Sequence, residues 1–231
     1  MTGLGAEGRV AFYYAPEADD PLAEAAALWL GRDAARGEPR RQPDWPDMQA
    51  ITAEARGYGF HATLKPPMRL RDGVGWGDVL KAAAEIAAAV PAFDMPRLHV
   101  ADLHGFLALR ETEPSPALQA LADACVAGAD GLRAPASGAE LARRRKSGAL
   151  PAAQEANLVR WGYPYVFATW FFHMTLTRRL DAAERSVFMP AAAHHFAAAL
   201  ETPRRVQSLC LFTQAGPGAE FVLAERIRLA G

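Results

Sequence analysis

Apolar and polar positions alternate along YGFHATLK, residues 58–65: Phe60, Ala62 and Leu64 fall on one side of an extended chain, and His61, Thr63 and Lys65 on the other. The alternation returns in TWFFHMTLTRRL, residues 169–180, where Phe172, Met174 and Leu176 interleave with His173, Thr175, Thr177 and Arg179. These patterns predict strands near residues 58–65 and 166–177, the first ending at Pro66-Pro67 because proline carries no ladder donor.

The surrounding pattern supplies further elements. A β-rich run, RVAFYYAP, precedes an amphipathic helix from Pro21 to about Ala35 and an irregular linker, GEPRRQPDWPD. Beyond the first motif come a helix over Val79 to Val90 and two β-like runs, Pro96 to Leu103 and Gly105 to Arg110. The helix Pro116 to Val126 follows, and then, beyond the second motif, a helix from Ala182 to Leu200 and β-like runs at Arg204 to Thr213 and Glu220 to Leu229.

The two halves therefore share one element order, and the motif histidines stand 112 residues apart in a chain of 231. The pattern predicts an internally duplicated α+β fold: one bilobal domain over residues 1–231, with two antiparallel-rich sheets facing a central cleft and helices outside. Residues 134–162 break the symmetry with a helical insert carrying the densest basic run, Arg143 to Lys146. A run of this kind is either a solvated helix face or a set of phosphate-seeking cations capping a substrate.

Composition narrows the function. A hydrophobic content of 51% is ample for a core, and a formal net charge of −1 gives no field suited to holding a DNA duplex. Cys125 and Cys210 form neither a disulfide framework nor a zinc-ligand spacing, and no metal or cofactor is expected. The opening MTGLGAEGRV lacks a basic segment followed by an apolar run, and no segment reads as membrane-spanning, so a cytoplasmic protein without a membrane partner is expected. Oligomeric state is left open.

If the two motif strands approach about a two-fold axis, two imidazoles flank one small site with two hydroxyls between them. His61 and His173 then form a general acid/base pair, since an imidazole of pKa about 6.5 can take a proton on one side and supply one on the other. Thr63 and Thr175 would donate to phosphate oxygens, with Lys65, Arg179 and Arg144 as candidate cations and Tyr58 and Tyr163 as candidate stacking surfaces. His99, His104, His194 and His195 are read as structural or surface residues.

The paired FHATL and FHMTL resemble the two-histidine phosphoesterase superfamily, which includes bacterial RNA ligase-like proteins and cyclic phosphodiesterases. YGFHATLKPPMRL, AELARRR, RWGYPYVF and FHMTLTRRL more narrowly resemble the branch encoded beside phosphonate-utilisation genes. The resemblance spans nearly the whole chain. It implies a bilobal α+β fold, His61/Thr63 and His173/Thr175 as the site, and action on a phosphoester, often a cyclic one.

The expected partner is thus a small phosphorylated substrate, such as a sugar or nucleotide cyclic phosphate. Two other readings are carried forward: processing of RNA ends bearing a 2′,3′-cyclic phosphate, and non-catalytic binding of phosphate or nucleotide.

Overall fold

The computed structural model describes residues 5, 7–145 and 150–231. Seven strands, β1 (Arg9–Tyr14), β2 (Ala62–Met68), β3 (Leu98–Leu103), β4 (Phe106–Glu111), β5 (Met174–Arg179), β6 (Ser208–Gln214) and β7 (Phe221–Arg228), form an antiparallel sheet in the order β7-β6-β1-β2-β5-β4-β3. The described helices are α1 (Pro21–Leu30), α2 (Met48–Tyr58), α3 (Trp76–Ala89), α4 (Pro116–Gly128), α5 (Gly138–Arg144), α6 (Ala152–Trp161) and α7 (Ala182–Glu201). The fold is α+β, as the element order predicts, but the halves share one seven-stranded sheet instead of forming the two expected sheets, because the motif strands pair at Ala62 and Met174. Among the described residues, no helix is long and apolar enough to cross a membrane.

The duplication is visible in the sheet. Strands β1 and β2 of one half correspond to β4 and β5 of the other, and the halves meet at a single ladder pair, Ala62 with Met174. Each of these residues directly follows a motif histidine. Beyond that pair β2 and β5 have no mutual register, so the half-sheets part on either side of a cleft.

The predicted alternation holds on the core side. Phe60, Ala62, Leu64, Phe172, Met174 and Leu176 are all buried, and they pack with Trp29 of α1, Leu121 of α4 and Phe196 of α7. The indole of Trp29 also donates to the Leu176 carbonyl at 3.1 Å, tying α1 of the first half to the second motif strand.

Helix limits follow local chemistry. Asp20 caps α1 through its bond from the Leu22 amide (2.8 Å), Pro21 fits the first turn, and Gly31 ends the helix at φ 78°. This stop precedes the expected end near Ala35. In α7, Asp181 and Glu184 form a capping box.

Three local expectations are corrected. Residues 48–58 form α2, burying Met48, Ile51, Thr52 and Ala55 on one face, so Tyr58 ends a helix rather than beginning a strand. Strand β2 continues through Pro66-Pro67 to Met68: beyond Ala62 its β5-facing edge needs no ladder donor, and two register shifts against β1 absorb the irregularity.

The second motif strand starts at Met174 rather than Val166. The chain before it makes a 3₁₀ turn over Phe167–Thr169, where side chains replace the ladder. Asn157 donates to the Val166 carbonyl at 3.1 Å, and the Thr169 hydroxyl donates to that of Pro164 at 2.7 Å.

Candidate active site

A cleft of about 830 Å³ opens between the half-sheets, and His61, Thr63, His173 and Thr175 all line it. Both histidines are half-buried. The Nδ1 atoms of His61 and His173 lie 2.8 and 3.3 Å from the carbonyls of Gly59 and Phe171, each two residues upstream of its histidine. A carbonyl only accepts, so Nδ1 carries the proton in each neutral ring and Nε2 keeps its lone pair. His61 Nε2 lies 3.2 Å from the Thr63 hydroxyl.

Gly59 is needed where it stands. Its φ of 76° and ψ of 166° suit glycine, and a Cβ there would lie 2.4 Å from that of Ala34. The close turn between α2 and β2 aims the Gly59 carbonyl at the imidazole.

The two histidines are not equally sheltered. Tyr13, paired with Thr63 across the ladder, stacks on His61 with ring centroids 3.7 Å apart. The corresponding partner of Thr175 is Ala108, and His173 instead stacks on Phe171 at 4.8 Å. Burial pushes the His61 pKa down to about 4, against the opposing pull of the Gly59 carbonyl. Burial also lowers that of His173, with Arg110 adding to the effect and the Phe171 carbonyl opposing it.

Four of the five candidate binding residues reach the cleft: Tyr58, Tyr163, Arg144 and Arg179. Lys65 does not. The bulge between Thr63 and Lys65 breaks the alternation, and Lys65 is buried with Leu64, its ammonium donating to the Val126 carbonyl at 3.0 Å and lying 3.6 Å from Asp130. Burial lowers its pKa to about 8, against the opposing charge of Asp130.

The basic run divides. Arg143 and Arg144 line the cleft, whereas Arg145 turns to Glu155 at 3.1 Å, and Lys146 lies outside the described residues. None of His99, His104, His194 and His195 lines the cleft, and His195 bonds to the Ala25 carbonyl at 2.7 Å.

Sequence reasoning missed Tyr13, Arg9, Arg69, Phe106 and Arg178, which also line the cleft. Each sits on a neighbouring strand or strand end, and only the pairing of β1 with β2 and of β4 with β5 brings Tyr13 and Phe106 beside the motifs. Among the described residues, no group of three or more His, Cys, Asp or Glu side chains is placed to hold a metal ion.

Fold and site define a duplicated α+β protein with two histidine–threonine motifs facing one cleft. The chain belongs to the family described as Protein of unknown function (DUF1045), whose model matches residues 63–222. It is 42% identical over 232 residues to the Ribose 1,5-bisphosphate phosphokinase PhnN of Janthinobacterium sp. (strain Marseille), covering 96% of this chain and 51% of that protein. It is 36% identical over 225 residues to the protein of the same name from Laribacter hongkongensis (strain HLHK9), covering 96% and 52%. The chain thus spans about half the length of the curated relatives it matches.

Among solved structures, E. coli LigT complexed with 3′-AMP aligns over 97% of this chain and 99% of that chain, at 15% identity and a TM-score of 0.49. A structure described as a phosphoesterase aligns over 96% and 99%, at 14% identity and a TM-score of 0.44.

Proposed function

We propose that this protein is a phosphoesterase that opens a cyclic phosphodiester on a small sugar or nucleotide by general acid–base catalysis. The observation that carries the reading is the matched pair of imidazoles in one cleft, each with its Nδ1 set on the carbonyl two residues upstream and its Nε2 left with a lone pair. His61, the more strongly depressed, is neutral at pH 7 and takes a proton from water on Nε2. The water oxygen bonds to phosphorus, the ring P–O bond breaks, and His173, in the fraction protonated on Nε2 that grows as pH falls toward its lowered pKa, gives that proton to the leaving oxygen. Thr63 and Thr175 donate to the non-bridging oxygens as charge builds there.

A ribose phosphate is the favoured sugar. Both curated relatives are named as ribose 1,5-bisphosphate phosphokinases, and this chain corresponds to about half of each. Its sequence contains no Gly-Lys pair and therefore no G-x-x-x-x-G-K-[ST] loop, so that signature does not support a P-loop phosphokinase reading of this chain. A place in phosphonate metabolism accords with the sequence resemblance described above.

The test is a product-resolved phosphorus NMR screen against cyclic phosphates of ribose, nucleosides and short RNA, with and without a chelator. Opening of a small sugar cyclic phosphate at a higher kcat/KM than RNA ends, undiminished by chelation, is the expected result. A preference for RNA ends overturns the substrate assignment. Loss on chelation with recovery by one metal overturns the mechanism, and no opening of any cyclic phosphate overturns the activity.

A further inference from the structure

The arginines of the cleft differ in what compensates their charge. Glu184 holds Arg178 through two bonds of 2.9 and 2.7 Å, Arg179 donates to the His104 carbonyl, and Arg69 lies 3.5 Å from Glu140. Arg144 has no such arrangement. Its guanidinium lies over the Tyr163 ring at 4.9 Å, and among the described residues its buried Nε has no hydrogen-bond partner and no carboxylate lies within ion-pair distance. Burial holds its pKa below the usual arginine value.

Among the described residues, the exposed Arg143 beside it likewise has no carboxylate within that distance, and the Arg9 side chain on the same cleft bonds only to the neutral Gln214, at 2.7 Å. Tyr58 links this region to the first motif: its ring lies 6.2 Å from that of His61, and it lines the same cleft as Arg144. A partly desolvated guanidinium with an unmade hydrogen bond, and with Glu140, already paired with Arg69, acting on it only from beyond ion-pair distance, is costly in the free protein, and an anion at contact distance would lower that cost.

We propose that the part of the cleft bounded by Arg144, Arg143, Arg9, Tyr58 and Tyr163 is a subsite for a second phosphate, so that the substrate is a small molecule carrying two phosphates. One is the ester placed at the histidines, and the other is a phosphomonoester held at Arg144. The identity of the first rests on the phosphoesterase reading; the anion subsite does not. The cleft of about 830 Å³ falls in the range of small-ligand sites, and the net charge of −1 gives no general attraction for a polyanion, so the two phosphates belong on one small ligand.

Calorimetric titration with ribose 1,5-bisphosphate and ribose 1-phosphate tests the subsite without turnover, so its outcome is separate from that of the catalytic screen. The wild-type protein is expected to bind the bisphosphate at least ~10-fold more tightly, the scale of one charge-assisted contact set. Arg144→Gln should reduce that preference to about 2-fold and Arg144→Lys should retain part of it, because lysine keeps the charge but not the planar fork. Arg145→Gln, altering the neighbour tied to Glu155, should leave the preference intact. Equal affinity of the wild type for both ligands, or equal weakening of both by Arg144→Gln, overturns the subsite. Tighter binding of a 5′-phosphorylated RNA oligonucleotide than of the bisphosphate overturns the small-molecule class.

Discussion

Tyr13 lies flat against His61, 3.7 Å between ring centroids and 18° between planes, while the corresponding ladder position beside Thr175 is occupied by Ala108. One aromatic ring therefore breaks the chemical equivalence of two motifs that the sequence writes almost identically. The stacked face excludes water from the first imidazole and disfavours its protonation.

Tyr13→Leu tests this directly. It keeps apolar bulk at a buried position but removes the stack, so the His61 pKa should rise from about 4 toward the ordinary value near 6.5. Histidine titration followed by NMR in both proteins measures the shift. An unchanged His61 pKa would assign the depression to the rest of the cleft.

The pH dependence of kcat/KM should be bell-shaped, with its maximum on the acid side of neutrality. Activity rises through about pH 4 as His61 loses its proton, and falls through the His173 pKa, which lies below the ordinary value of about 6.5. The same shifts act on stability. Between pH ~6.5 and about 4 the unfolded chain binds protons that the folded histidines do not, so stability falls as pH drops through that window. Thermal melts of wild type and His61→Gln across the window check the sign, with the variant expected to lose less.

His61→Ala and His173→Ala should each lower kcat by about 10²–10⁴-fold while leaving the fold intact, since both side chains face the cleft rather than the core. The double variant should fall well short of the product of the two single effects, because the groups act as a unit. Single-turnover assays of the three variants decide this, and wild-type turnover in either single variant removes that residue from the mechanism.

Lys65→Met should behave differently from any cleft variant. The lysine ammonium caps the Val126 carbonyl near the C-terminal end of α4, while Asp130 retains Arg133 at 3.0 Å and Arg160 at 2.9 Å. A loss of about 1–2 kcal/mol in denaturant unfolding is expected from the unmade carbonyl bond, with kcat/KM changed less than about 3-fold. A 100-fold fall in kcat/KM without a stability change would restore Lys65 to the substrate.

The duplicated element order, the paired motifs and the burial of Phe60, Leu64, Phe172 and Leu176 were legible because they depend on side-chain alternation and on repetition within the chain. The position of Tyr58, Tyr163, Arg144 and Arg179 on the cleft was legible for a related reason: they lie in or beside the motifs, or in the one insert that departs from the duplication. The failures have a different origin. A bulge at Leu64 has no period, so extrapolated alternation sends Lys65 to the wrong face. Side-chain bonds from Asn157 and Thr169 satisfied backbone that otherwise looked like strand.

The amino-acid sequence by itself determined that two histidine–threonine pairs would share one kind of surface, because two-residue periodicity is local chemistry. Only the tertiary structure decided their neighbours: that Tyr13 shelters one imidazole, that Ala108 stands at the other corresponding position, and that Arg144 lines the same cleft, its Nε unpaired among the described residues. Strand pairing and the docking of the insert bring together residues far apart along the chain, and charge and exposure follow from those non-local contacts rather than from any spacing within one segment.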